Sequence, residues 1–309
     1  MLSASVLARL ARAELQTYDL SQLRLDEARA QQALGEDLAG LHAKLNGAAT
    51  MTARCEQLGV PGSTPADYAE QVVRLDGEML ALCGIRHANL NPELPFVSLR
   101  TDVVPTRAEA VVELYAQVAE RFRVFRPRWV AVSTPRPIGG QLRATWMVQR
   151  AAAMRAREPW PVEDSLSLEP LSSTDYYPWY RRGYESFLNE NPHFVDLVTP
   201  SELSSLEQSR QEGLLRVVRV DGERVGLIAA VHDDFLGHSG VYFTEIFIAA
   251  RHRGRGLGKA LQRRFVAECC PPDALVWGTI DNDNQPSLRT ARANGRLPTR
   301  YESFVPIAR

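Results

Sequence analysis

VYFTEIFIAARHRGRGLGKALQRRFVAECC, residues 241–270, reads as a strand, a turn and a helix in succession. From Val241 to Ile248 the residues are mostly β-branched or aromatic, with one charge, Glu245, which predicts a strand. The turn is Arg253-Gly254-Arg255-Gly256-Leu257-Gly258. After it Leu257, Leu261, Phe265 and Cys269 recur every four residues and give a helix one apolar face, with Lys259, Gln262, Arg263 and Glu268 elsewhere on its surface. Three glycines and two arginines at a helix start make an anion site. Glycine lets a ligand approach the backbone closely, and first-turn N–H groups have no acceptor within the helix. The helix dipole adds roughly 0.3–1 kcal/mol for a nearby anion. Each N–H bond to a charged phosphate oxygen adds roughly 1.5–3 kcal/mol.

Spacing decides which anion. A P-loop needs a glycine five residues before its Gly-Lys pair and a Ser or Thr after the lysine. Here those positions are Arg253 and Ala260, so the magnesium-binding hydroxyl is missing. A dinucleotide fingerprint, GxGxxG, fails in both registers, because the last position falls on Lys259 or Leu261. What fits is (Arg/Gln)-x-x-Gly-x-(Gly/Ala), carried by Arg253, Gly256 and Gly258 directly after a strand. This resembles the acyl-CoA pyrophosphate loop of the GCN5-related N-acetyltransferase (GNAT) superfamily. The other reading of the hexapeptide is a Gly/Arg-rich turn that only joins a strand to a helix.

The elements around the loop extend the resemblance over about Ser165 to Arg309. Leu166–Pro170 alternates as a strand. Ser173 precedes a helix carrying Tyr176, Tyr177, Trp179, Tyr180, Tyr184 and Phe187, which Asn191-Pro192 breaks. Thr199-Pro200-Ser201-Glu202 opens a second short helix by cap logic. Leu214–Val220 and Glu223–Val231 are strands joined by the two-residue hairpin Asp221-Gly222. Pro271-Pro272 ends the helix of the quoted stretch, and Leu275–Ile280 is the next strand. A helix from Pro286 stops at Asn294-Gly295, and Tyr301–Pro306 is the last strand. The order β-α-α-β-β-β-α-β-α-β resembles that of the GNAT fold, and Leu168-Glu169-Pro170-Leu171 and Asn284-x-Pro286-Ser287-Leu288 resemble the family's first and last signatures. The fold class expected is therefore α/β (α+β): a C-terminal GNAT fold, 165–309, with a mixed, splayed sheet flanked by helices.

The first half, 1–160, reads as a mostly helical accessory domain with a small strand-helix-strand layer. Residues 2–46 read as a helical pair, ended by Gly47. The spacing of Leu34, Leu38, Leu41 and Leu45 suits core packing and also allows a homodimer seam. Thr64-Pro65 predicts a helix to about Cys83, stopped by Gly84. Phe96–Arg100 and Trp129–Ser133 are strand-like on either side of a helix that starts at the capping box Thr106–Glu109 and carries Val111, Leu114, Val118 and Phe122. Leu142–Arg157 reads as helix, and Glu158-Pro159-Trp160-Pro161 as a linker. No chemistry is written in residues 1–160.

The resemblance implies acetyl-CoA (coenzyme A) as cofactor, held at the splay between the fourth and fifth strands. It implies that backbone groups of Ile246, Phe247 and Ile248 pair with the pantetheine arm like an added strand. Arg253, Gly254, Arg255, Gly256, Leu257, Gly258 and Lys259 then hold the pyrophosphate, and Asn284 and Ser287 lie near the pantetheine or the sulfur. Asn284 has a second reading as a turn residue or helix cap. Glu245 is the acid/base candidate. It interrupts an apolar strand in phase with Phe243 and Phe247, where a carboxylate is costly without a partner or water. Its second reading is a partner for one of the many arginines. The family's usual tyrosine acid falls here on Ala291, which leaves Ser287 or Tyr301 as substitutes, or no acid at all.

Composition bounds the rest. The chain has 309 residues, 45% hydrophobic and 24% charged, which is ordinary for a globular protein of two domains. A net charge of -1 gives no bulk electrostatic case for nucleic acid or an anionic membrane. The four cysteines form no CxxC pair and no zinc pattern, so no metal is expected. The N-terminus lacks the order of a secretory signal, and Glu14 and Asp19 argue against a transit peptide, so a cytoplasmic protein is expected. The leading reading is an N-acetyltransferase moving an acyl group from the CoA thioester to an amine of a small molecule or peptide. An acyl-CoA-binding regulatory module without turnover is the alternative. Nucleotide or nucleic-acid binding through the arginines is the third class, and it predicts salt-dependent binding without preference for coenzyme A.

Overall fold

The computed structural model describes residues 2–195 and 198–307, His193 by its backbone alone. The chain divides into two compact units, Met1–Thr145 with Thr299–Arg309, and Trp146–Pro298. Among the described residues no helix is long and apolar enough to cross a membrane, and no group of His, Cys, Asp or Glu could hold a metal ion.

The first unit begins with α1 (Ala4–Gln16), α2 (Glu27–Leu45) and α3 (Ala48–Leu58). The helix expected from Thr64 to Cys83 is instead a single 3-10 turn, Pro65–Tyr68, followed by the hairpin β1 (Gln71–Arg74) and β2 (Leu80–His87). The reason is burial. Leu80 to Ile85 are all buried, a run with no solvent face that suits a central strand and not an amphipathic helix. Gly77, at φ +69°, makes the reversal. β3 (Pro95–Thr101), α4 (Ala108–Ala116) and β4 (Trp129–Thr134) follow, with β3 and β4 parallel. The helix expected to reach Phe122 stops at Ala116 and continues as 3-10 turns, Ala119–Phe125.

β5 (Gln141–Arg150) and a five-residue α5 (Ala151–Arg155) stand where one helix was expected over 142–157. The stretch Ala144-Thr145-Trp146-Met147-Val148 is β-prone, and Met147 and Val148 are both fully buried.

The second unit continues with β6 (Leu166–Pro170), α6 (Tyr177–Glu190), α7 (Leu203–Gln211), β7 (Leu215–Val220), β8 (Glu223–His232), β9 (Gly240–Ile248), α8 (Leu257–Cys269), β10 (Leu275–Asp281) and α9 (Gln285–Ala293). Its sheet order from β10 is β10-β9-β8-β7-β6. β6 to β9 are antiparallel neighbours, whereas β9 and β10 run parallel, so the sheet is mixed as expected. Asp221 and Gly222, both at positive φ, turn β7 into β8 as the two-residue hairpin predicts.

The last strand, β11 (Leu297–Pro306), starts four residues earlier than expected. It pairs antiparallel with β4 from Tyr301↔Thr134 to Pro306↔Trp129, which is why the tail groups with the first unit and the division differs from the expected 1–160 and 165–309. The expected linker is also built into the second unit. Trp160 packs on its core and donates from Nε1 to Asn294 Oδ1 at 3.0 Å.

Candidate active site

β9 and β10 pair over only three residues, Gly240–Tyr242 with Leu275–Trp277, and then part. From Phe243 to Ile248 the β10-facing edge of β9 therefore carries backbone groups with no strand partner among the described residues. The gap opens a cavity of ≈ 350 Å³. Its walls are Thr244, Glu245 and Ile246 of β9, residues 278–281 of β10, Tyr184, Gln262, Asn284, Ser287 and Arg296.

A bulge sets what faces this gap. The β8–β9 register slips between Ala229 and Ala230, so that Ala229 faces Glu245 and Ala230 faces Phe243, with Thr244 left over. This corrects the expected alternation. Phe243 turns to α8, its ring 5.7 Å from that of Phe265, while Glu245 and Phe247 turn to α6. One extra residue thus moves the carboxylate to the opposite side of the sheet from Phe243.

Glu245 is 8% exposed and fully dressed. Tyr184 donates its hydroxyl to Oε1 at 2.8 Å, Tyr180 donates to Oε2, and Ser201 Oγ lies 3.3 Å from the same oxygen. The tyrosines sit four apart on α6, so both reach one point. Ser201 is held there because its N–H donates to Tyr180 at 2.7 Å. Burial pushes the Glu245 carboxyl above its ordinary value, and the tyrosine hydroxyls pull part of that back. The Tyr184 phenol is pushed well up by burial and then by the Glu245 charge, so both tyrosines stay protonated donors. The arginine pairing considered from the sequence does not occur: no ion pair reaches Glu245 among the described residues.

Sequence reasoning missed parts of this cluster. Tyr180 and Tyr184 read as packing, which they also are, against Phe247. Ser201 read as part of a helix cap, yet α7 begins after Glu202 with no side-chain cap, and the serine is spent on Glu245. The i, i+4 tyrosine pair beside a lone strand glutamate was the available signal. Arg296 gave none, because it follows a helix-ending glycine where any residue fits.

At the loop, Gly254 and Gly256 adopt φ +76° and +79°, and a Cβ at either would meet nothing within 4 Å. The space beside the turn is open. Gly256 is the residue before α8, and its carbonyl accepts from Lys259 and Ala260. The N–H groups of Gly256, Leu257 and Gly258 make no hydrogen bond among the described residues. The charged side chains are distributed differently from the expected phosphate grip. Arg253 donates from Nε to the Ile248 carbonyl at 2.8 Å and lies over the Phe187 ring at 3.9 Å. The Lys259 ammonium rests over Trp160 at 5.1 Å. Arg255 is exposed.

Asn284 caps α9, its Oδ1 accepting from Ser287 N at 3.2 Å, and both residues line the cavity. Ala291 is fully buried beside Met147, Ile280 and Leu288, so the face that would carry a tyrosine acid packs into the core. Tyr301 lies on β11 in the other unit, opposite Thr134. Ile246 lines the cavity, Phe247 is buried against α6, and Ile248 is half-buried.

The second unit is thus an α/β domain whose mixed sheet splays beside a glycine turn and a helix start. The comparisons give the family. Residues 172–295 match the family model described as acetyltransferase (GNAT) family, and this segment is a GNAT acetyltransferase domain. The cofactor of such domains is acetyl-CoA. No curated protein matches the chain. Among solved structures, a GCN5-related N-acetyltransferase from Sphaerobacter thermophilus is 15% identical, covering 85% of this chain and 92% of its own, at TM-score 0.47. A GNAT-family acetyltransferase from Colwellia psychrerythraea is 11% identical over 83% of this chain and 97% of its own, at TM-score 0.48. Arabidopsis thaliana Naa50, solved with the bisubstrate analogue CoA-Ac-MVNAL, is 16% identical over 45% of this chain and 98% of its own, at TM-score 0.33.

Proposed function

We propose that the second unit is an acetyl-CoA-dependent N-acetyltransferase whose acceptor is an amine of a small molecule or peptide. The observation that carries the reading is the conjunction at one gap in the sheet: an unpaired β9 edge, a buried carboxylate with raised pKa at its wall, and three unsatisfied N–H groups at the start of α8.

The residues fit the cofactor. Open space over Gly254 and Gly256 leaves room for a diphosphate, and the N–H groups of Gly256, Leu257 and Gly258 supply donors at a helix N-terminus. Arg255 adds an exposed charge, while Arg253, Gly254 and Lys259 serve through the backbone they fix. The edge of Ile246, Phe247 and Ile248, which has no strand partner among the described residues and whose Ile248 carbonyl accepts from Arg253 Nε, suits an amide-bearing arm added as a strand. When bound, acetyl-CoA would supply the acetyl group as a thioester, with coenzyme A as the leaving thiolate.

Glu245 takes the proton that an incoming ammonium must lose, directly or through the Tyr184 hydroxyl. Its raised pKa makes it a stronger base than an exposed carboxylate. Tyr180 and Ser201 hold the carboxylate in place and balance its charge. Ser287, half-buried in the cavity wall, stands as the hydroxyl beside the leaving sulfur, with Asn284 orienting its backbone. With alanine at 291, the protein works without the usual phenol at that position.

Acetyl-CoA added to the full chain should raise its unfolding temperature, and a screen of primary amines should release free coenzyme A with at least one class. Stabilisation without turnover on any amine would favour the alternative, an acyl-CoA-binding regulatory module. No stabilisation would remove both.

A further inference from the structure

Arg296 is a buried charge that the fold leaves unexplained. It is 3% exposed, and its Nε and Nη1 have no hydrogen-bond partner among the described residues. No carboxylate lies within ion-pair distance of it among the described residues. Its guanidinium carbon lies 5.2 Å from the centre of the Phe243 ring, its backbone N–H is satisfied by Ala291, and it contributes to the wall of the cavity that holds Glu245. Leaving a buried guanidinium unpaired is costly, so such a group persists where something outside the chain completes it. Burial also lowers its pKa to about 10, still well above neutral, so it stays charged.

Gly278 supports the same conclusion independently. It interrupts β10, where glycine weakens a strand, and its φ is not left-handed, so the backbone does not require it. A Cβ there would stand 3.3 Å from Arg296 Nη1. The glycine keeps room for the guanidinium at the cavity wall.

We infer that Arg296 receives a carboxylate carried by one of the two substrates, so that the cleft acts on a carboxylate-bearing pair and not on simple amines with a plain acyl group. This rests on reading the cleft as the acyl-transfer site. The planar fork of arginine matches a carboxylate through two parallel N–H bonds. With Glu245 taking the ammonium proton, the cavity offers opposite charges to the two ends of an amino acid. At ≈ 350 Å³ it suits a small molecule. The carboxylate belongs either to the acceptor or to a dicarboxylic acyl group, and both offer the arginine the same chemistry.

The full chain is assayed in two arms. In the first, acetyl-CoA is fixed and glycine, β-alanine, glutamate and aspartate are compared with their carboxamides. In the second, one accepted amine is fixed and malonyl- and succinyl-CoA are compared with acetyl- and propionyl-CoA. A preference in kcat/KM of roughly 10²-fold or more for the acid is expected in one arm, because a site built for a group rejects the analogue that lacks it. Arg296→Met should erase that preference, leave coenzyme A affinity within about threefold, and hold or raise the unfolding temperature, since it removes an unpaired buried charge. Gly278→Ala, which crowds the guanidinium without removing it, should weaken the preference in the same arm. Equal use of acids and amides, and of both acyl types, overturns the inference. So does an Arg296→Met protein that loses several degrees of stability and coenzyme A binding together, which would mark a structural arginine. If the wild-type chain fails to bind coenzyme A, the reading of the cleft itself has failed.

Discussion

Gly256→Asp tests the anion seat at the start of α8. Gly256 sits at φ +79° just before the helix, and its Cβ would enter open space. Aspartate tolerates left-handed backbone better than most residues and is favoured at helix starts, so the folding cost is roughly 1 kcal/mol. The ligand cost is larger. A carboxylate placed in the seat repels a diphosphate and competes for the N–H groups of Leu257 and Gly258. Losing two charge-assisted bonds costs roughly 3–6 kcal/mol, or about 10²–10⁴ in Kd. Gly256→Ala is the control: at least as much backbone strain, no charge, and a loss below about tenfold. Titration calorimetry with coenzyme A gives both Kd values, and thermal unfolding without ligand confirms that each variant is folded. An aspartate variant that binds coenzyme A within threefold of wild type would refute the placement of the diphosphate at this turn.

Three further outcomes follow from the buried charges. Tyr184→Phe removes a donor that lowers the Glu245 pKa, so the acid limb of kcat/KM should move to higher pH, while Tyr176→Phe, whose hydroxyl has no hydrogen-bond partner among the described residues, should leave it in place. In the first unit, Arg300 donates to Glu14 Oε1 at 2.5 Å, both groups being buried. Burial raises the Glu14 pKa, but Arg300 and Arg100 lower it further, so its net contribution to stability is present above pH 4.5 and is lost as pH falls. Arg300→Met should cost roughly 3–5 kcal/mol in urea unfolding and flatten that acid dependence. His87 sits against Tyr68 and Phe125 with neither ring nitrogen hydrogen-bonded among the described residues, and burial lowers its pKa from 6.5 to about 4. Its neutral form is what the fold accommodates, so stability present above pH 6.5 is lost as pH falls toward 4, and His87→Phe should remove that part of the slope.

The sequence carried the second unit further than the first, for physical reasons. From Leu166 onward, strands and helices are bounded by strong local signals: Asp221-Gly222, Gly254 to Gly258, Pro271-Pro272, and Asn284 with Pro286. Residues 141–150 lack them, and in residues 71–87 the one such signal, Asp76-Gly77, stands inside the stretch that the Thr64-Pro65 cap predicts as helix, although that cap closes only a 3-10 turn. In β2 every residue from Leu80 to Ile85 is buried, and in β5 Met147 and Val148 are buried side by side, so neither the period of two nor that of 3.6 is written there. The ownership of the tail by β4 is a long-range pairing that no local pattern encodes. At the site, Glu245 stood out as a lone charge in an apolar strand. Its partners did not, because Ser201 looks like a cap and the tyrosines look like core. The bulge at Thr244 is invisible in the alternation it breaks, and Arg296 becomes conspicuous only when its missing partners are seen in three dimensions.

The account stands or falls on Glu245 as the base in the splayed gap. The measurement is single-turnover transfer from acetyl-CoA to an accepted amine, with coenzyme A affinity taken on the same samples, for wild type and Glu245→Gln. Glutamine keeps the shape, its carbonyl oxygen accepting from one tyrosine and its amide N–H donating to the hydroxyl oxygen of the other, so affinity should hold within about threefold while the transfer rate falls roughly 10²–10⁴-fold. Equal losses of affinity and rate, or a glutamine variant as fast as wild type, would contradict it.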